Sequence, residues 1–113
     1  MQIFTYVDQV HEWAKEKGWW DGSRSLGDVM TNIHSELSEA WEEYRAGHKL
    51  QEVYYSKDDK GYDKPEGFPI EIADTIIRIF DLCGQYDIDI EDAIDAKMAY
   101  NYIRDYRHGG KLA

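Results

Sequence analysis

Two short acidic patterns carry the chemistry that this sequence advertises. Glu36-Leu37-Ser38-Glu39 and Glu71-Ile72-Ala73-Asp74 each hold two carboxylates three residues apart, the spacing that stacks side chains on one face of a helix. Two such helices packed together would gather four acidic groups into one pocket. Without a counter-charge, each pair at about 6 Å repels by roughly 3 kcal/mol at an effective dielectric of about 20. A hard divalent cation such as Mg²⁺, which prefers oxygen ligands, is the commonest reason for a fold to build such a pocket.

A second set of residues supplies the opposite charge. Lys97, Asn101 and Arg104 recur at i, i+4 and i+7, which puts them on one helical face. Carboxylates for a metal together with Lys, Asn and Arg for phosphate oxygens describe a metal-dependent phosphate-chemistry site. Each part has an ordinary alternative. Most Glu-x-x-Glu pairs are solvated faces, and the Lys97 face reads equally as solvent-exposed. Here the first acidic pair flanks an apolar stripe and the second lies on the least polar helix, which favours the site. Arg78 reads either as a counter-ion to Asp74 or Asp81 or as a ligand contact. His11 reads as a hydrogen-bonded core histidine. Trp20 serves equally well as a hydrophobic loop anchor or as a stacking platform for a nucleobase.

Four helices must position these groups. The first spans 2–17, with Phe4, Val7, Val10 and Ala14 on its apolar side and Gly18 at its end. Ser25 and Asp28 form a capping-box variant that opens a second helix over 26–45. There Ile33, Leu37, Ala40, Trp41 and Tyr44 make an apolar stripe at helical period, with Glu36, Glu39 and Glu43 on its flank. Residues 48–66 are a long polar connection in which Glu52-Val53-Tyr54-Tyr55 could form one arm of a hairpin. Pro69 suits the first turn of a third helix, 69–86. Apolar residues surround most of that helix, and only Glu71, Asp74, Arg78 and Asp81 form a polar strip. Asp89 and Asp92 cap a fourth helix over about 90–105. The end, Arg107-His108-Gly109-Gly110-Lys111, reads as a basic, flexible tail.

Composition narrows the function further. The chain of 113 residues suits one domain, and its net charge of −10 disfavours nucleic-acid or anionic-membrane binding. One cysteine, Cys83, permits no internal disulfide and fits a reducing cytoplasm. No basic-then-apolar signal opens the chain, and no apolar run approaches a membrane span. None of His11, His34, His48 and His108 has a glutamate three residues before it, so the Glu-x-x-His motifs of a di-iron bundle are missing.

The paired motifs resemble those of the MazG-like, all-α nucleoside triphosphate pyrophosphohydrolases. That family carries Glu-Glu-x-x-Glu on one helix and Glu-x-x-Asp on the next; here Ser35 stands in place of the leading glutamate, and the second motif is complete. The resemblance continues through Lys97-Met98-Ala99-Tyr100-Asn101, Arg104 and the glycine-containing tail, as in small stand-alone, phage-type members. It implies an all-α, four-helix bundle-type subunit, one domain over 1–113 with a loop insertion at 48–66, completed by a homodimer or homotetramer. It further implies that Glu36, Glu39, Glu71 and Asp74 are catalytic residues that bind Mg²⁺ (or Mn²⁺). Lys97, Asn101 and Arg104 would contact phosphate, and His11, Trp20 and Arg24 the base. The implied reaction is (d)NTP + H₂O → (d)NMP + PPi, for cleansing or regulating a nucleotide pool. Two rivals remain on sequence grounds: a non-catalytic nucleotide- or metal-binding regulator on the same scaffold, and a structural helical oligomer with an acidic, solubilising face.

Overall fold

The computed structural model describes residues 2–104. Its elements run α1 (Ile3–Glu16), α2 (Leu26–Arg45), β1 (Tyr54–Lys57), β2 (Asp63–Glu66), α3 (Phe68–Gln85) and α4 (Ile90–Ile103). The fold is predominantly helical, and α3 is its middle. Helix α2 packs along one side of α3, α1 along another, and α4 leans on α1. The core is thin: Val7, Val29, Ala40 and Cys83 are the buried apolar residues, with Thr75 and Asp81 buried among them. None of the helices described is long and apolar enough to cross a membrane.

The helix starts follow their local chemistry. The Asp28 backbone N–H donates to Ser25 Oγ at 3.0 Å, while the Ser25 backbone N–H donates to Asp28 Oδ2 at 3.3 Å. This reciprocal box opens α2. The Asp92 backbone N–H donates to the Asp89 carboxylate at 3.0 Å and opens α4. Pro69 lies in the first turn of α3, where its missing N–H costs nothing. Just before it, Gly67 has φ +122° and lies against the Glu52 carbonyl, so a β-carbon there meets both backbone strain and a clash.

Two expectations are adjusted. The hairpin arm read at Glu52-Val53-Tyr54-Tyr55 is present two residues further on: within the 48–66 insertion Tyr54–Lys57 and Asp63–Glu66 pair antiparallel, with Tyr54 opposite Glu66 and Lys57 opposite Asp63. The strands are short and the second, Asp63–Glu66, is wholly polar or proline, so alternation marks only the first. The stripe on α2 faces this chain's core only in part, through Ile33 and Ala40. Leu37, Trp41 and Tyr44 are about half exposed, whereas Ala40 is sealed. The helix instead turns its Glu36 and Glu43 side inward, because partners on α3 and on the hairpin meet those carboxylates.

Candidate metal centre

Glu36 from α2 and Glu71 and Asp74 from α3 bring one carboxylate oxygen each to within 4.8 Å of one another. Glu71 and Asp74 are one turn apart on α3, and Glu36 meets them across the helix–helix seam. Glu39, one turn further along α2, lies against Glu71 at the rim of a neighbouring hollow of about 290 Å³. Glu42, Glu43, His48 and Tyr54 also line that hollow.

The electrostatics are those of crowded acids. Burial, a hydrogen bond to Asp74 and the Asp74 charge push Glu36 up to about 7. Burial and Glu39 push Glu71 upward as well. One cation stands in the seam: Arg78 Nη2 lies 3.1 Å from Glu36, and its Nε lies 3.8 Å from Asp74. That Nε is buried and has no hydrogen-bond partner among the described residues. Three carboxylates gathered within 4.8 Å, with Glu36 driven to hold its proton, are an oxygen-only donor set that could hold a hard divalent cation such as Mg²⁺ or Mn²⁺, although Arg78 competes for the same oxygens.

Further along the polar strip of α3, Asp81 organises the other half of the region. Asp81 is 7% exposed. Its Oδ1 lies 2.8 Å from His11 Nδ1, and Trp20 Nε1 donates to both of its oxygens at 2.9 and 3.1 Å. A carboxylate only accepts, so the His11 proton sits on Nδ1. His11 packs against bare backbone at Gly84, where an added β-carbon would come within 2.6 Å of His11 Cβ. The Trp20 ring is engaged on several sides: His11 and Tyr86 meet it edge-on, and the Arg24 guanidinium covers it at 4.9 Å. These contacts are those of the hydrogen-bonded core histidine and the loop anchor, His11 and Trp20 joined through Asp81. Trp19, in the turn between α1 and α2, lines an open groove.

That groove, about 210 Å³, is walled by Val10, Trp13, Trp19 and Ile77 and reaches Asp74, Arg78 and Asp81. The Arg78 guanidinium lies 4.7 Å from the Trp19 ring centre. Arg78 thus faces the carboxylate seam and the groove together. Nothing in the sequence shows this, because its partners Glu36 and Trp19 are remote in the chain.

The remaining expected site residues fall elsewhere. Lys97 and Arg104 both lie over the Tyr100 ring, at 5.1 and 5.9 Å. Lys97 and Asn101 sit on α4 and Arg104 just past its end, and α4 packs on α1 and not along the α2–α3 seam. Within one chain the fold does not bring these three to the carboxylates. Glu43, expected beside Glu36 and Glu39, instead accepts hydrogen bonds from Tyr54 at 2.9 and 3.0 Å and anchors the hairpin to α2.

No protein-family model, curated protein or solved structure matches this chain. The residues alone carry the argument.

Proposed function

We propose that the chain is a Mg²⁺-dependent nucleotide pyrophosphohydrolase that converts (d)NTP and water to (d)NMP and PPi. The observation that carries this reading is the meeting of Glu36, Glu71 and Asp74 within 4.8 Å across two helices. Glu36, Glu71 and Asp74 would hold the cation, with Glu39 at the rim. A bound Mg²⁺ supplies charge neutralisation at the phosphates and a more acidic water. The chain's own contribution is positional. The rigid α2–α3 seam keeps the oxygens close together, and the adjoining groove offers the base an apolar wall. His11, Trp20 and Arg24 shape the end of that region through Asp81. The reading places the protein in the cytoplasm, with its nucleotide substrates.

The same proposal includes a homodimer or homotetramer. Met30, Leu37, Trp41, Tyr44, Met98 and Ile103 are each between 44% and 77% exposed, far more apolar surface than a small monomer leaves in water. Such an assembly is also the route by which Lys97, Asn101 and Arg104 of one subunit would reach another's phosphates.

The deciding assay incubates the protein with Mg²⁺ and a panel of common and modified (d)NTPs, resolving NMP, NDP, PPi and phosphate. NMP with PPi supports the proposal. NDP with phosphate means cleavage at another bond, and nucleotide binding without turnover means a regulator. Glu71→Gln should reduce turnover by roughly a hundredfold or more, since it removes a carboxylate from the cation.

A further inference from the structure

Arg78 has an unusual position. Its guanidinium stands against two carboxylates that the proposed function assigns to a divalent cation, 3.1 Å from Glu36 and 3.8 Å from Asp74. It nevertheless leaves a buried Nε–H unmet, a state a permanent structural ion pair avoids because an unsatisfied buried donor is costly. On its other side it is stacked near Trp19 and lines the open groove. A divalent cation arriving at Glu36 and Asp74 would be repelled by the guanidinium and would compete for the same oxygens. The groove side is where the side chain can go, since it already borders that space and Trp19 offers a cation–π surface there.

We propose that Arg78 is a resident stand-in for the cation: in the metal-free chain it balances Glu36 and Asp74, and when a divalent cation takes those carboxylates it shifts toward Trp19, where its freed N–H donors receive phosphate oxygens of the bound nucleotide. The inference rests on the metal-centre reading above and adds to it a displaced residue with a second task. A planar guanidinium suits that task, because its parallel N–H pairs match phosphate oxygens.

The test is calorimetric titration of Mg²⁺ alone into the wild-type chain, Arg78→Gln and Arg78→Lys, followed by KM and kcat for a hydrolysed nucleotide. Removing the competing charge should tighten Mg²⁺ binding by roughly fivefold in Arg78→Gln, while KM rises by roughly tenfold. Arg78→Lys should keep Mg²⁺ affinity near that of the wild type and recover part of the KM loss. Unchanged or weaker Mg²⁺ binding in Arg78→Gln, or an unchanged KM, with a wild type that binds and hydrolyses normally, overturns the inference and leaves the proposed function standing. A wild type with no saturable Mg²⁺ binding removes both. If Arg78→Gln does not fold, tryptophan emission decides instead. Mg²⁺ alone should change the fluorescence of the wild type and not that of Trp19→Phe; equal responses would show that Arg78 stays in place.

Discussion

Glu36 holds its proton up to about pH 7 because burial and Asp74 both oppose its charge. A carboxyl group whose folded-state pKa lies above its unfolded value binds more protons in the native state between those two values. Stability therefore falls as pH rises from about 4.5 to about 7, and the loss is complete above that window. We expect metal-free Glu36→Gln to be more stable than the wild type at pH 8 by on the order of 2–3 kcal/mol, and to show little difference at pH 4. Urea unfolding at the two pH values checks this; a constant difference would assign the effect to packing. Asp81 makes the complementary case. Its carboxylate serves His11 and Trp20 together, so Asp81→Ala should destabilise by about 2–4 kcal/mol, more than Trp20→Phe at about 1 kcal/mol. Equal costs would mean that the shared acceptor is not what holds the frame.

At the scale of elements, two glycines, Gly84 within α3 and Gly67 just before it, set how closely its neighbours approach. Gly84→Ala would push a methyl group into His11, forcing α1 outward from α3. We expect a loss of about 1–3 kcal/mol and a shift in the near-ultraviolet signal of Trp20. Gly67→Ala meets strain from a positive φ and a collision with the Glu52 carbonyl, so it should unseat the hairpin from the start of α3. The helices themselves are legible in the chain, since a capping box, a proline in a first turn and a 3.6-residue period are all local. The hairpin is less so. Its anchoring depends on Tyr54 reaching Glu43, eleven residues away, and its strands lack a continuous apolar face.

The whole molecule leaves much apolar surface uncovered, and that is its clearest unmet physical requirement. The α2 stripe through Leu37, Trp41 and Tyr44 is regular enough to look like a core face, yet in one chain it points to solvent. We expect sedimentation to show a dimer or tetramer for the wild type, and a smaller, less stable species for Leu37→Glu/Trp41→Glu. A monomeric wild type would remove the assembly from the proposal.

The sequence by itself determined the number and limits of the helices, their caps, and the spacing that puts Glu71, Asp74, Arg78 and Asp81 on one strip. These are properties of neighbouring residues along a regular helix, and short-range geometry dictates them. Only the tertiary structure decided which side of α2 turns inward, that Glu36 meets Arg78 across the seam, and that Asp81 joins His11 to Trp20. Those pairings link residues 42 to 70 positions apart. Their energies depend on how whole helices dock, and no local pattern records that.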